Sequence, residues 1–263
     1  FMQTKLIFFD IDGTLIDEKT GTIPPSTIQA ILQAQANRHL CFINTGRPFS
    51  TIDSMIRNIP FDGYICGCGT YIQYHQQPLF HAQLSTNLKH KVIQSIYQYQ
   101  VDAMLEGYDG VYFSKNLKHP FIQSIQKHYQ NIGFHTGSFT SHDDVSFDKL
   151  TIWYQPHTDI ESFKQELQDD FHIIQRDIDF LEIVPFPYSK ASGIQYIIDH
   201  LGYTIKDTIS IGDSTNDLPM LKYTHDSVAM GNSNPLLFHE VSYITTDVDN
   251  HGIFNALKHF QII

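Results

Sequence analysis

Cysteine is scarce in this sequence: three residues among 263, Cys41, Cys66 and Cys68. An odd number cannot all pair within one chain, and Cys66 and Cys68 stand too close for an ordinary disulfide framework. A disulfide-stapled fold is thereby excluded, and the thiols read as reduced. Zinc ligation is equally unsupported, because the 15 histidines include no His-x-x-x-His and no second cysteine pair accompanies Cys66 and Cys68. Basic residues are also few, 17 against 28 acidic ones, for a net charge of −11. With no run of Lys or Arg to offset it, that charge opposes extended contact with a nucleic-acid backbone or an anionic membrane. Any phosphate site must be local. Long apolar runs are absent: nothing approaches the ~20 residues of a membrane span, and the N-terminus lacks the basic segment and apolar core of a signal peptide. A cytoplasmic protein with a small-molecule partner is expected. Phe1, ahead of Met2, reads as an added or upstream residue and is set aside.

What is present is the composition of a folded chain, 41% apolar and 17% charged, long enough for two domains. Lys5-Leu6-Ile7-Phe8-Phe9-Asp10 is an almost unbroken apolar run that turns polar at Asp12-Gly13-Thr14, as a buried parallel strand and its exit loop would. Pro24-Pro25-Ser26 precedes Ile28, Ile31 and Leu32 at helical spacing, which predicts a helix capped by Ser26 and ending near Asn37. Leu40-Cys41-Phe42-Ile43 then runs into Asn44-Thr45-Gly46-Arg47, completing a βαβ unit. The same grammar returns at Thr208-Ile209-Ser210-Ile211 before Gly212-Asp213-Ser214-Thr215-Asn216-Asp217, and at Ser227-Val228-Ala229-Met230 before Gly231-Asn232. In open parallel sheets the site lies beyond the carboxyl ends of the strands, so Asp10, Thr45 and Asp213 are expected to converge. Between residues 84 and 186 the pattern shifts to helices at Val92–Gln100 and Phe121–Gly133 and strand-like pieces such as Leu150–Tyr154, without polar exit motifs. That segment reads as an inserted α/β cap that sets specificity, with 1–83 and 187–263 forming the core.

Two carboxylates two positions apart, Asp10 and Asp12, suit a nucleophile and a general acid acting on one phosphorus. A carboxylate approaching an anionic phosphate meets like-charge repulsion, so cations are required. Asp213 and Asp217, with Asp10, offer hard oxygen ligands for Mg²⁺, and Lys190 offers a second positive charge. Thr45 and Gly46 supply a hydroxyl and unhindered backbone N–H groups to phosphate oxygens, and Asn216 supplies an amide. In this scheme Asp10 attacks phosphorus, Asp12 protonates the leaving alkoxide, and Asp12 then activates the water that hydrolyses the aspartyl phosphate. Arg47 either reaches a second anionic group or the cap, or makes a structural salt bridge. Tyr108 and Tyr112 either stack on a ring or belong to the cap's core.

Asp10-Ile11-Asp12-Gly13-Thr14-Leu15, Thr45-Gly46-Arg47, Lys190 and Gly212-Asp213-Ser214-Thr215-Asn216-Asp217 together resemble the four ordered motifs of haloacid dehalogenase-like (HAD) phosphatases. Leu181-Glu182-Ile183 before Ser189-Lys190, Val228–Asn232 and Asn250-His251-Gly252-Ile253 resemble the Cof-type branch in particular. The resemblance implies a Rossmann-like parallel-sheet core with an α/β cap inserted between the second and third motifs. It implies a Mg²⁺-dependent phosphatase acting on small phosphorylated metabolites such as sugar phosphates, pyridoxal phosphate or flavin mononucleotide. By the same resemblance Asp10 is nucleophile and metal ligand, Asp12 is acid/base and binds the metal through its carbonyl, Asp213 completes the ligands and Asp217 is outer-shell. Phosphate falls to Thr45, Gly46, Lys190, Asn216 and the N–H of Ile11. Two departures stand out: Cys68-Gly69-Thr70 where Cof-type proteins usually carry Asn-Gly-Ala, and Ala191 where a glycine commonly follows the lysine. The competing readings are a phosphosugar mutase, whose relatives generally carry a smaller cap between the first and second motifs, and a regulatory module that accepts phosphate without turnover. Asp12 opposes the latter, since an acid/base beside the acyl phosphate hastens its loss.

Overall fold

The computed structural model describes residues 3–263; Phe1, set aside above, and Met2 lie outside the described residues. Packing divides the chain into two compact units. The first comprises the residues up to Gly46, Asp53–Phe80 and Ser189–Ile263, and the second comprises Arg47–Ile52 and His81–Tyr188.

The chain first lays down β1 (Leu6–Phe9), β2 (Leu40–Asn44), β3 (Gly63–Cys66), β4 (Tyr71–Tyr74) and β5 (Gln77–His81). It continues with β6 (Asp102–Glu106), β7 (Val111–Ser114), β8 (Thr136–Phe139), β9 (Lys149–Trp153), β10 (Phe171–Asp177) and β11 (Phe180–Pro185). It ends with β12 (Thr208–Gly212), β13 (Asp226–Ala229) and β14 (Tyr243–Ile244). The first unit holds a sheet of order β14-β13-β12-β1-β2-β3-β4-β5, parallel from β14 to β3. This is the Rossmann-like α/β architecture that the apolar runs and their polar exits predict. All four residues of β1 are fully buried, because helices cover both faces and no alternation survives. On one face Leu6, Phe8, Phe42 and Ile65 meet Ile194, Ile197 and Ile198 of the helix Lys190–Leu201, with Phe8 and Phe42 stacked at 5.2 Å. Each such side chain withdrawn from water contributes about 1.5–3 kcal/mol.

Register decides where the exit loops emerge. Phe9 stands level with Ile43 of β2 and Ile211 of β12, so the residues after these strands leave the sheet at one carboxyl edge. One local expectation fails. The first helix is Pro25–Ala36, with Pro24 at the N-cap and no side-chain cap bond, so Ser26 lies inside it. Pro25 at the first helical position needs no N–H partner and comes with its φ already set, which moves the start ahead of the serine.

The second unit's six-stranded sheet has the order β10-β11-β9-β6-β7-β8 and is antiparallel except between β7 and β8. Alternating residues Ala103, Leu105, Leu150, Ile152, Leu181 and Ile183 turn one face toward Val92, Ile93 and Ile96 of the helix Thr86–Gln98 and Phe163 of the helix Ile160–Leu167. Tyr112, partly buried, packs against this cluster, whereas Tyr108 stacks on Phe49 at 5.4 Å with their rings only 4° from parallel. The helix expected from Val92 starts earlier, at Thr86, where the Ser85 hydroxyl accepts from the Leu88 N–H. No helix among the described residues is long and apolar enough to cross a membrane.

Two groups in the first unit give simple tests. None of the three cysteines is in a disulfide and all are buried, and burial, reinforced by Asp62, pushes the Cys41 thiol well above its usual range. A thiol-reactive disulfide should therefore titrate no cysteine rapidly in the native protein and three after denaturation. His39 is 2% exposed, its Nδ1 accepts from the Lys5 N–H, and its Nε2 has no hydrogen-bond partner. Burial first, and Lys5 second, lower its pKa from 6.5. Below that value the unfolded chain binds a proton that the native state refuses, so stability is full above about pH 6.5 and falls as the pH drops. Urea unfolding between pH 7 and 5.5 should show that slope, and His39→Asn, which keeps an acceptor for Lys5 but cannot be protonated, should flatten it.

Candidate active site

Asp10 follows β1, and its N–H donates to Ile211 O of β12 at 3.0 Å, which ties the first exit loop to the third. The loop then closes on itself: the N–H groups of Thr14, Leu15 and Ile16 all donate to Ile11 O. Gly13 has φ +76°, and a Cβ there would lie 2.3 Å from Asp213 Oδ2. Only glycine lets the two carboxylate loops approach this closely. Thr14 completes the contact, its hydroxyl donating to Asp213 Oδ1 at 3.1 Å.

Lys190 comes from the third segment. It is the first residue of its helix, which is held open for it by a reciprocal cap in which Ser189 Oγ accepts from the Ser192 N–H and Ser192 Oγ from the Ser189 N–H. Gly193, one turn on, lies so close to Ile65 of β3 that a Cβ would meet its Cγ2 at 2.3 Å. Asn44, the buried last residue of β2, donates from Nδ2 to Lys190 O at 2.9 Å. The ammonium thus reaches Asp10 Oδ1 at 2.6 Å and Asp217 Oδ1 at 2.5 Å. The other oxygen of Asp217 accepts from the N–H groups of Asp213 and Ser214, at 3.0 and 2.9 Å.

Oxygen atoms of Asp10, Asp213 and Asp217 all lie within 4.8 Å of one another. Burial, then Asp217, push the Asp10 carboxyl up to about 7 against the opposing pull of Lys190. Burial, then Asp10 and Asp217, push Asp213 up to about 9. Burial alone would depress Lys190, but Asp10 and Asp217 more than offset it and hold its pKa above the ordinary lysine value. Three clustered carboxylates facing one ammonium are short of positive charge. An all-oxygen, negatively charged donor set of this kind fits a hard divalent cation, whose charge would reverse the upward shifts.

The remaining sequence-predicted residues distribute as follows. Asp12 is half-buried, pairs as a bridge with Ile16, and is close enough to Asp10 to raise its pKa. Thr45 is buried after β2, its N–H donating to Ile65 O and its carbonyl accepting from Cys68 N–H. Gly46 follows it at the end of the same unit's segment. Asn216 is 7% exposed and its Oδ1 accepts from the Ser214 hydroxyl at 2.8 Å. Arg47 belongs to the second unit, where its Nη1 donates to Thr51 O at 3.4 Å. Cys68 takes a left-handed conformation, φ +55°, between two further positive-φ residues, Gly67 and Gly69, a backbone that asparagine tolerates more readily than cysteine. Asn44 and Asn232 were not singled out from the sequence as site residues. Their only signals were Asn44's place directly before Thr45 and Asn232's place at the end of the Val228–Asn232 segment.

A family model described as haloacid dehalogenase-like hydrolase matches residues 7–257. The chain is 28% identical over 268 residues to YkrA of Bacillus subtilis (strain 168), with both chains covered in full. It is 26% identical over 283 residues to 5-amino-6-(5-phospho-D-ribitylamino)uracil phosphatase YitU of the same bacterium, covering 98% of this chain and 99% of that one. The solved HAD subclass IIB sugar phosphatase BT4131 is similar with a TM-score of 0.85 and 27% identity, over 99% of this chain and 100% of that one. The chain belongs to the haloacid dehalogenase-like hydrolase family, as a phosphatase of its Cof-type branch.

Proposed function

We propose that the protein hydrolyses small phosphorylated metabolites through an aspartyl phosphate on Asp10, with Mg²⁺ as cofactor. The observation that carries this reading is the buried Lys190 ammonium bridging Asp10 and Asp217 beside Asp213, a site built to bring a carboxylate nucleophile up to an anionic phosphate. Asp10 and Asp213, with the carbonyl of Asp12, would hold the ion, which supplies charge neutralisation for the incoming phosphate. Asp217 is better suited to orienting its neighbours, because its own oxygens are taken by Lys190 and two backbone N–H groups.

Thr45, Gly46, Lys190, Asn216 and the Ile11 N–H hold the phosphate oxygens. One Asp10 oxygen forms the new bond to phosphorus as the bond to the leaving alkoxide breaks, and Asp12 delivers a proton to that alkoxide. Asp12 then takes a proton from water, which attacks phosphorus and frees Asp10 as the acyl phosphate bond breaks. The inserted segment 84–186 is assigned the choice of leaving group, since it carries none of the polar strand-exit motifs. YitU, by its name, acts on a phosphoribityl compound and BT4131 on sugar phosphates, which favours a phosphomonoester of a polyhydroxylated chain here, a class that includes flavin mononucleotide, over pyridoxal phosphate.

The test is phosphate release from an aryl phosphate and a panel of phosphorylated sugars, sugar alcohols and cofactors. Turnover should fall by about 100-fold or more with chelator and return with added Mg²⁺. Chelator-resistant turnover, or none on any compound by a folded protein, would overturn the reading.

A further inference from the structure

The short loop after β13, Met230 to Asn234, touches both carboxylate loops. The Met230 N–H donates to Gly212 O at 3.1 Å and the Asn234 N–H to Asp213 O at 2.9 Å, so backbone bonds hold it against the Asp213 loop. Toward the Asp12 loop its contact is a side chain: Asn232 Nδ2 donates to Gly13 O at 2.8 Å. The other end of that amide is pinned as well, Asn232 Oδ1 accepting from the Val248 N–H at 2.8 Å. These two bonds also fix which end of the amide is oxygen, since a reversed amide would set oxygen against carbonyl and N–H₂ against N–H.

Gly13 is the residue after Asp12, and its backbone is constrained on both sides. Its N–H donates to Ile16 O at 3.0 Å and its carbonyl is taken by Asn232. With φ at +76° and Asp213 beside it, the residue can absorb a rotation of the Gly13–Thr14 peptide that no other residue type would permit. The Asn232 bond removes that freedom. Asn232 itself is exposed, and it buries no apolar surface that the fold would miss.

We propose that Asn232 is a positioning residue for Asp12: by holding the Gly13 carbonyl it fixes the Gly13–Thr14 peptide, and with the Gly13 N–H already tied to Ile16 O this locks the glycine next to Asp12 and hence the direction in which Asp12 presents its carboxyl group. This rests on the reading of Asp12 as the acid and base of the two half-reactions. Loss of the bond lets the Asp12 loop turn without unfolding it, and misplacement by a fraction of an ångström is costly in a proton transfer.

The experiment compares wild type with Asn232→Ala, Asn232→Asp and Asp12→Ala, measuring kcat and KM on a sugar phosphate, the breakdown rate of trapped phosphoenzyme, and the melting temperature. Asn232→Ala should slow phosphoenzyme breakdown by about tenfold or more with KM within about twofold and melting unchanged. Asn232→Asp keeps the acceptor for Val248 but sets an anionic oxygen against Gly13 O, and it should be slowed at least as much as the alanine variant. Breakdown at the wild-type rate in both variants, with Asp12→Ala slowed, would overturn the role of Asn232 and leave that of Asp12 intact. A parallel loss of melting temperature and kcat would reduce Asn232 to a structural tie. Unslowed breakdown in Asp12→Ala would overturn the acid/base reading itself, and the proposal with it.

Discussion

Asp10→Asn should lower phosphate release by about 10³-fold or more and leave no acid-stable phosphate on the protein, because the amide retains the shape of the carboxylate but not its nucleophilic oxygen. The fold should not suffer. Lys190 keeps an acceptor at Oδ1, and Asp10 is already a carboxyl whose neutral form is favoured by burial and by Asp217. Removing one of three mutually repelling carboxylates should make the metal-free variant at least as resistant to urea as wild type at pH 8. Single-turnover assays with labelled substrate, beside urea unfolding of both proteins, check the two halves together. Substantial residual turnover in a folded variant would remove Asp10 from the nucleophile's role, whereas an unfolded variant would show that Asp10 is needed for the fold.

How much of this was legible beforehand depended on how local the signal is. The strands that carry the site are buried on both faces, so β1, β2 and β12 each read as an apolar run broken by a polar exit, and parallel topology did the rest by aligning those exits at one edge. The capping serine was misplaced because a proline at the first helical turn competes with the serine signal and wins. Contacts that cross the chain left little trace. Thr14 meets Asp213 across 199 positions and Asn232 meets Gly13 across 219, and nothing in the spacing of either residue encodes its partner. Asp217 is an intermediate case. Its carboxylate was read as a metal ligand from residue type, and then as outer-shell from resemblance. In the structure one of its oxygens receives Lys190, while the other serves the N–H groups of residues 213 and 214 in its own turn, bonds that neither residue type nor spacing announces. The departures were legible as letters but not as geometry, since only the backbone shows that Cys68 stands in a left-handed conformation between two glycines.

The second large effect concerns the cation. In Lys190→Met the ammonium that bridges Asp10 and Asp217 is lost, and the side chains involved are 0%, 8% and 0% exposed for Lys190, Asp10 and Asp217, so water cannot take its place without the site opening. Breaking a buried pair while leaving its charges behind costs about 3–5 kcal/mol, a sizeable share of the total stability of an ordinary domain. Metal-free Lys190→Met should therefore unfold at clearly lower urea than wild type, and phosphate release should fall by about 10²–10³-fold for want of a donor to the phosphate oxygens. A divalent cation on the same carboxylates would restore part of the stability by neutralising them, but not the activity, because the ion cannot occupy the position of the lysine's N–H groups. The double variant Lys190→Met, Asp217→Asn separates charge from packing. Its amide oxygen can still accept from the N–H groups of Asp213 and Ser214, while one of the two stranded negative charges is gone, so stability should recover part of the way toward wild type and turnover should stay low. If the single variant is as stable as wild type without metal, the carboxylates are already protonated there, and Lys190 serves the phosphate alone and not the folding of the site.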